Sequence, residues 1–191
     1  MARHLPREPL PLTTALPAGT ALIRQGDACR RAWIVQTGVL IERVVSPEGR
    51  VLIPRLPGPG DLVGGVDGAP SAGTVHALRR STVRIAGSDE LVAALAERDR
   101  AMLAFAAAVA WLDTRTKIER RLREIAHRFG RPAPGGIALG LTLTQEDLGA
   151  FAGTTRESAN RAVAELLRCG AIQRLSRGRY LVRTALRSMD A

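Results

Sequence analysis

Four glycines divide the first third of the chain at nearly equal intervals. Gly26, Gly38, Gly49 and Gly60 are separated by 12, 11 and 11 residues, and short apolar, β-branched runs lie between and beyond them. These runs cover residues 21–23, 32–35, 39–45, 51–56, 74–78 and 82–85. Short strands at such regular spacing are typical of an all-β barrel or sandwich. We therefore predict an all-β domain in the N-terminal half of the chain.

The pattern becomes helical after Ser88, which is a suitable N-cap followed by two acidic residues. An apolar, alanine-rich run then covers residues 101–112, which is shorter than the roughly 20 residues needed to cross a bilayer. We expect this run to be a buried helix. An amphipathic helix follows from residue 114 to about residue 129, where Gly130 ends it.

The last third of the chain combines helix caps, a tight turn and a basic hairpin. Thr144 begins a capping box at the start of one helix, and Thr155 caps a second helix after a turn at Gly153. A hairpin with an arginine-rich turn follows between residues 172 and 182. Helix, turn, helix and hairpin together predict a winged helix-turn-helix. The fold class of the whole chain is therefore α+β.

The second of these helices has one apolar side and one polar side. At about 100° per residue, the apolar side consists of Ala159, Ala162, Val163 and Leu166. Arg156, Glu157 and Arg161 lie on the other side, in the first two turns. Arginine can donate two hydrogen bonds to guanine, and glutamate can accept one from cytosine N4. This pattern predicts base reading in the major groove, although an ordinary solvated face is the alternative for such a pattern in isolation.

Positive charge is concentrated towards the C-terminal half. Residues 1–98 carry 12 basic and 9 acidic side chains, a net of +3, whereas residues 99–191 carry 16 and 9, a net of +7. A polyanionic partner is therefore expected in the second half. Aromatic residues make up only 3%, which disfavours a single-strand binder that stacks bases. The chain starts without the apolar core of an export signal, so we expect a cytoplasmic protein without a membrane partner.

Two segments resemble a known family. The segment LTQEDLGAFAGTTRESANRAVAELLRCGAI, residues 143–172, strongly resembles the DNA-binding helices of the cyclic-AMP receptor and fumarate–nitrate regulator (CRP/FNR) superfamily. AWLDTRTKIERRL, which starts at Ala110, is similar to the family's hinge, and the hinge aspartate is Asp113. The resemblance implies a cyclic-nucleotide-binding-like β-roll over 1–98, a dimerisation helix and hinge over 99–113, and a winged helix-turn-helix over 114–191.

The resemblance also implies roles for individual residues. In the family, the residues that correspond to Arg156, Glu157 and Arg161 read a TGTGA-like half-site. The residues that contact the DNA backbone in the family correspond to Thr144, Gln145, Thr155, Ser158, Arg177, Gly178 and Arg179. For the polar residues at the helix starts, helix capping alone is the alternative explanation. The implied protein is a homodimer, joined through helix residues Leu103, Val109 and Leu112. It binds a near-palindrome with half-sites about one helical turn (~10 bp) apart, and RNA polymerase is the implied partner.

The nucleotide-binding cassette of the family is degenerate in this chain. Where relatives carry a glycine and a glutamate that contacts ribose, the chain has Gly64 and Gly65. Where they carry an arginine and a serine on the cyclic phosphate, it aligns Thr74 and Val75. A buried phosphate without a cation is costly, so we predict no cofactor and no response to cyclic AMP. The dipeptide Arg80-Ser81 is interpreted as a surface turn, and an atypical cyclic-nucleotide sensor stays an alternative.

Enzymatic function is not predicted. A β-barrel metalloenzyme with a nucleic-acid-binding domain is the second alternative, but His4, His76 and His127 are scattered along the chain. The sequence has no nucleophile–base arrangement and no glycine-rich phosphate loop. Cys29 and Cys169 are too few for an iron–sulfur cluster, and we interpret Cys29 as a turn residue.

Overall fold

The computed structural model describes residues 12–183. This part of the chain divides into two compact units between Ala107 and Ala108. The first unit is built from eight strands and most of one long helix, and the second is built from three further helices and four strands. The predicted α+β class is confirmed.

The first unit contains two four-stranded antiparallel sheets. Its strands are β1 (Thr13–Leu16), β2 (Ala21–Ile23), β3 (Arg31–Thr37), β4 (Leu40–Val45), β5 (Val51–Arg55), β6 (Leu62–Gly65), β7 (Thr74–Ala77) and β8 (Ser81–Ile85). One sheet has the strand order β1-β8-β3-β6, and the other has the order β2-β7-β4-β5. Most neighbouring strands are distant in the sequence, so the chain passes repeatedly between the two sheets, as in a β-roll.

The two sheets enclose a single hydrophobic core. Trp33 and Val35 of β3 face Val75 of β7, and Leu16, Leu22, Ile23, Leu40, Val63, Ala77 and Val83 complete the cluster. Ala32 and Ile34, which alternate with the core residues of β3, are buried on the opposite face of the same sheet. Because β3 is buried on both faces, its sequence is a continuous apolar run rather than an alternating one.

In the first unit, the structure adds two strands to those that the sequence predicts. β1 lies between prolines and forms an edge of its sheet, the position where proline disturbs a ladder least. β6 ends in Gly64 and Gly65, which have low strand propensity, yet all four of its residues pair with β3. In both cases the pairing partner decides the conformation, and a local pattern does not reveal that partner.

Helix α1 (Ser88–Trp111) is continuous over 24 residues, or about 36 Å. Leu91, Ala94 and Leu95 in its first half pack on the outer face of the sheet that contains β3. The prediction of a buried helix over residues 101–112 is wrong for burial, because most of these residues are exposed and only Phe105 is buried. The helix passes residue 98 without a break, so the boundary that separates 1–98 from 99–113 in the sequence falls inside one regular element. No helix within residues 12–183 combines the length and the apolar character needed to span a membrane.

The second unit contains the predicted pair of helices and hairpin. Its elements are α2 (Thr114–Phe129), β9 (Arg131–Ala133), β10 (Gly136–Ala138), α3 (Gln145–Ala152), α4 (Arg156–Arg168), β11 (Ile172–Ser176) and β12 (Arg179–Arg183). The four strands form one sheet in the order β11-β12-β10-β9. The hairpin β9-β10 is absent from the sequence prediction because Pro132 masks it, and β9 lies at the sheet edge.

The three helices of the second unit pack against one another, and α2 also contacts β12 while α4 contacts β11. Ile118 and Leu122 of α2, Leu148 of α3 and Leu166 of α4 are all fully buried. Asp113 caps α2, and its carboxylate accepts hydrogen bonds from the backbone N–H and the hydroxyl of Thr116 at 3.0 and 2.6 Å. The Thr116 hydroxyl and backbone N–H hold the pKa of Asp113 below its ordinary value. The predicted hinge residue is therefore a helix cap.

An ion pair ties the start of α1 to β8. The Arg84 guanidinium donates two hydrogen bonds to the Glu90 carboxylate, one of them 2.7 Å from Nη2 to Oε2. The backbone N–H of Gly87 donates a third at 2.8 Å. The Arg84 guanidinium, followed by this N–H, lowers the pKa of Glu90 from 4.5 to about 2.

We predict that Glu90→Gln lowers the free energy of unfolding at neutral pH, because the ionised carboxylate is lost. The folded-state pKa of Glu90 lies below its unfolded value, so this stabilisation is complete above about pH 5 and disappears as the pH falls towards 2. Urea unfolding at a series of pH values should show the difference between wild type and variant shrinking over this range. Glu97→Gln, which removes an exposed pair with Arg100 on the same helix, is the control and should have little effect. A difference for Glu90→Gln that does not change with pH would contradict the prediction.

Candidate nucleic-acid interface

Two capped helices and a tight turn form the framework of the interface. Thr144 Oγ1 accepts from the Asp147 N–H, and the Asp147 carboxylate accepts from the Thr144 N–H, both at 3.0 Å, so the predicted capping box is present. Gly153 ends α3 with φ 60° and ψ 39°, a left-handed conformation that glycine adopts without steric cost. Thr155 then caps α4 by accepting from the Ser158 N–H at 3.2 Å. The direction of α4 is thus set at its first residue.

Helix α4 has the two faces that the sequence predicts. Ala159, Ala162, Val163 and Leu166 are buried, and they pack towards α2 and α3. Arg156, Glu157 and Arg161 are exposed, as is Asn160 between them. The structure therefore brings the three predicted base-reading residues together on one solvent-facing surface in the first two turns of α4.

The Glu157 carboxylate is stabilised in its ionised form. Its own backbone N–H, the Thr155 hydroxyl and the positive charges of Arg156 and Arg161 keep the pKa of Glu157 below its ordinary value. At neutral pH this surface therefore carries one carboxylate between two guanidinium groups. The carboxylate can accept from a base and repels phosphate, so it favours base edges over the DNA backbone.

Ser158 links the cap of α4 to one of the arginines. The Thr155 hydroxyl donates to Ser158 Oγ at 3.2 Å, and Arg161 Nη2 donates to the same oxygen at 3.3 Å. Ser158 Oγ thus accepts two hydrogen bonds, which leaves its own proton for an external acceptor. Thr155 and Thr144 both use their hydroxyl groups in capping, so a capping role is established for these two.

The turn between β11 and β12 is attached to the segment that precedes α3. Gly178 has φ +73°, and a Cβ at this position would lie 2.8 Å from the Leu143 carbonyl oxygen, so only glycine fits. The Leu143 N–H donates to the Gly178 carbonyl at 2.8 Å. Arg177 and Arg179 flank this glycine and are exposed. We call this turn, residues 176–179, the wing.

A groove of about 770 Å³ lies between the start of α3, the start of α4 and the wing. Its lining includes the guanidinium groups of Arg156, Arg174 and Arg177, against the single carboxylate of Glu146. Thr142, Leu143, Thr144, Gln145, Asn160, Gly178 and Tyr180 complete the lining. The groove therefore offers an excess of positive charge and several hydrogen-bonding groups to an extended anion.

Asn160, Arg174 and Tyr180 are among the groove residues that the predicted site does not include. Asn160 lies on the exposed face of α4, and the helical spacing of the sequence already indicates this position. Arg174 stands opposite Tyr180 in the β11-β12 ladder, with its guanidinium carbon 6.0 Å from the tyrosine ring centre. The Tyr180 hydroxyl accepts from Gln145 Nε2 at 2.9 Å. Since 35 residues separate these two, no local pattern predicts the contact.

The structure distributes the degenerate cassette residues over both sheets of the first unit. Gly64 and Gly65 end β6, whereas Thr74 and Val75 begin β7. The Gly64 carbonyl accepts a 2.6 Å hydrogen bond from Arg98 of α1. The Val75 side chain is 3% exposed and belongs to the core, and Thr74 Oγ1 accepts from the Gln25 N–H at 3.1 Å. None of these four side chains offers a charge to a ligand.

The interpretation of Arg80-Ser81 as a surface turn is wrong for Ser81. Arg80 is exposed, but Ser81 begins β8 and is fully buried. Its hydroxyl donates to the Arg79 carbonyl at 2.8 Å and accepts from the Val39 N–H at 3.1 Å. The Ser81 hydroxyl is thus committed to backbone groups of its own sheet region and does not face a ligand.

The remaining candidate ligands are dispersed. Within residues 12–183, no group of three or more His, Cys, Asp or Glu side chains is arranged to hold a metal ion, and His4 lies outside the described residues. Cys29 and Cys169 are both free thiols in different units. The Ala171 backbone N–H and the Arg115 guanidinium, whose Nη2 is 3.5 Å from the sulfur, lower the pKa of Cys169 below its ordinary value.

The three predicted residues of the dimerisation helix do not share one surface. Leu103 is 71% exposed, whereas Val109 and Leu112 are half-buried. Val109 lies about 120° around the helix from Leu103, and Leu112 follows the last residue of α1. Of the three, Leu103 is the most exposed. Val92, 76% exposed, lies on the same side as Leu103.

A β-roll followed by a winged helix-turn-helix defines a class of bacterial transcription regulators. Residues 13–98 match the cyclic nucleotide-binding domain family, and residues 116–189 match the Crp-like helix-turn-helix domain family. The chain therefore belongs to the CRP/FNR family of transcription regulators, as the resemblance predicts.

Relatives agree with this assignment. A CRP-like cAMP-activated global transcriptional regulator of Mycobacterium tuberculosis is 28% identical over 174 residues, which are 82% of this chain and 78% of that protein. A CRP/FNR-family transcriptional regulator from Thermus thermophilus superposes with a TM-score of 0.76, 23% identity, and coverage of 90% and 93% of the two chains. FixK2 from Bradyrhizobium japonicum superposes with a TM-score of 0.75 at 18% identity, and the match covers 90% of this chain and 92% of that chain. These two solved structures support the fold.

Proposed function

We propose that this regulator binds double-stranded DNA as a homodimer, reads TGTGA-like half-sites through α4, and does so without cyclic AMP. The observation that carries the proposal is the surface of α4. Arg156, Glu157 and Arg161 are exposed in its first two turns while its opposite face is buried in the second unit. This is the arrangement that a recognition helix needs in the major groove.

The three side chains have complementary tasks at the base edges. Arg156 and Arg161 each present a planar fork of N–H donors, which matches the O6 and N7 acceptors of guanine. Glu157, ionised at neutral pH, accepts from the N4 amino group of cytosine. A half-site with two G·C pairs of suitable spacing, as in TGTGA, satisfies this trio.

Sequence-independent affinity comes from the groups around the trio. Arg177 and Arg179 of the wing and the Ser158 hydroxyl are available to phosphate oxygens. The first turn of α3 adds Gln145 and the backbone N–H groups of a helix N-terminus, which favour anions. Thr144 and Thr155 contribute by capping, and Gly178 contributes by letting the wing approach α3.

Dimerisation is assigned to an exposed apolar stripe on α1. Val92, Ala96, Leu103 and Ala106 recur at helical spacing and are all exposed, roughly 110° around the helix from the face that packs on the β-roll. Exposed apolar surface of this kind marks an interaction site, and alanines let a second helix approach closely. A second copy of the same stripe forms a self-complementary interface. Two copies then present two α4 helices to successive major grooves of a near-palindrome.

Independence from cyclic AMP follows from the chemistry of the β-roll. At the aligned cassette positions, the side chains supply one hydroxyl and no charge, and the Gly64 carbonyl is occupied by Arg98. A cyclic phosphate would be buried without a cation there. The M. tuberculosis relative is described as cAMP-activated, and this favours the alternative of an atypical nucleotide sensor.

Binding to chromosomal DNA implies a cytoplasmic protein that recruits or blocks RNA polymerase.

We predict that Arg156→Ala weakens binding to a duplex with inverted TGTGA half-sites by roughly 1–3 kcal/mol per half-site and relaxes specificity at one base pair. The reason is the loss of two hydrogen bonds to a guanine. Fluorescence anisotropy with that duplex and with single-base variants measures both effects. Arg168→Ala, in the last turn of the same helix, is the matched control and should keep the discrimination. Unchanged discrimination in Arg156→Ala would refute the assigned role.

We predict that Leu103→Glu converts the homodimer into a monomer, because it places two carboxylates against each other in the apolar stripe. Sedimentation equilibrium of the wild type and of Leu103→Glu measures the change in mass. The affinity of the variant for the duplex with two half-sites should fall towards that of a single DNA-binding domain. Val66→Glu, at another exposed valine of the first unit, is the control and should stay dimeric. A monomeric wild type, or a dimeric Leu103→Glu, would count against the stripe.

We predict no saturable heat when cyclic AMP or cyclic GMP is titrated into the protein, and no change in its duplex affinity when either is present. The physical reason is the missing carboxylate and guanidinium in the cassette. The M. tuberculosis relative, titrated in parallel, is the positive control. Saturable micromolar binding with a gain in duplex affinity would establish the cyclic-nucleotide-responsive alternative.

A further inference from the structure

Tyr180 is the single tyrosine of the chain, and it is fully buried beneath the wing. Its hydroxyl accepts a hydrogen bond from Gln145 Nε2 at 2.9 Å, across 35 residues of sequence. A buried tyrosine hydroxyl ordinarily has a partner, so a structural explanation of this contact is the first one to test. The contacts around the wing argue for a more specific role.

The wing does not need this hydroxyl to keep its position. The Leu139 N–H donates to the Tyr180 backbone carbonyl at 2.8 Å, and the Leu143 N–H donates to the Gly178 carbonyl at 2.8 Å. The ring of Tyr180 also lies beneath the Arg174 guanidinium. Backbone hydrogen bonds and the ring contact with Arg174 therefore hold the hairpin. The Tyr180 hydroxyl is not needed for this.

The Gln145 amide, in contrast, depends on the hydroxyl. Among residues 12–183, the Gln145 amide has one hydrogen-bond partner, the Tyr180 hydroxyl, which is bonded to Nε2. The other amide atom, Gln145 Oε1, is buried and makes no hydrogen bond. An amide held by one bond loses its fixed orientation when that bond is removed. The hydroxyl uses one of the two N–H groups of Nε2, and the second stays available to an external acceptor.

We propose that Tyr180 is a positioning residue for DNA backbone binding: its hydroxyl orients the Gln145 amide so that the second N–H of Nε2 donates to a phosphate oxygen in the groove. This inference rests on the proposed function, because it assigns the anion in the groove to duplex DNA. It adds that the start of α3 and the wing act together. Both sets of phosphate contacts are joined through one buried hydroxyl.

The test uses Tyr180→Phe, which keeps the ring beneath Arg174 and removes only the hydroxyl. Affinity is measured by fluorescence anisotropy over a range of salt concentrations, for the TGTGA duplex and for a scrambled duplex of equal composition. A neutral hydrogen bond releases no counterion, so affinity for both duplexes should fall by roughly 2- to 10-fold while the salt slope is unchanged. Arg177→Gln, the comparison, should flatten the slope by about one unit.

Two further variants separate positioning from packing. Gln145→Ala should show the same loss as Tyr180→Phe, and the double variant should show no further loss, because the hydroxyl acts through the amide. Gln145→Glu keeps an acceptor for the Tyr180 hydroxyl and suits a helix N-terminus, yet it should bind DNA more weakly than Gln145→Ala. Thr37→Val removes a hydroxyl pair with Thr82 in the β-roll and is the control without effect on DNA affinity.

The outcomes that overturn the inference are distinct. Wild-type affinity in Gln145→Ala, equal losses from Tyr180→Phe with and without Gln145, or a flattened salt slope in Tyr180→Phe would each show that the hydroxyl does not orient a phosphate contact. In all three cases DNA binding and the role of Arg156 stand. If the unaltered protein ignores both duplexes at low ionic strength, the proposed function fails, and this inference fails with it.

Discussion

The burial of one face of α4 is the constraint on which the candidate interface depends. Ala159, Ala162, Val163 and Leu166 are held against α2 and α3, and this fixes the rotation of the helix about its own axis. Because the helix cannot turn, the polar residues of the same helix are exposed together. The caps at Thr144 and Thr155 and the left-handed Gly153 then set where the helix begins. The geometry of the polar surface is thus a consequence of apolar packing.

The first unit has the architecture of the cyclic nucleotide-binding domain family, and α1 is tied to its strands by contacts within the chain. Val75 fills the core between the sheets, and Arg98 of α1 is bonded to the Gly64 carbonyl of β6. The ion pair of Arg84 and Glu90 adds a second link between the sheet and α1. Contacts within the chain therefore join the roll to the helix that carries the exposed stripe.

Sequence reasoning succeeded where structure is decided locally and failed where it is decided by distant partners. The bounds of α2, the capping box and the two faces of α4 depend on residues within a few positions of one another, and all are present in the structure. β1 is flanked by prolines, and β6 and the β9-β10 hairpin contain glycines or proline, so only their neighbours in the sheets reveal them. The three predicted residues of the dimer helix differ in exposure. Leu103 is exposed, but Val109 and Leu112 lie elsewhere around or beyond α1.

Helical periodicity alone places the residues of the predicted reading surface, because a helix of 3.6 residues per turn leaves little choice once its apolar positions are given. The absence of charge at Gly64, Gly65, Thr74 and Val75 is likewise visible without a fold. How the start of α3 meets the wing depends on the packing of the second unit. Gln145 and Tyr180 are 35 residues apart in the sequence. They meet because β12, which carries Tyr180, folds back beside the helices of the second unit. Hydrogen bonds of this range are set by packing of whole elements, and no local pattern encodes them.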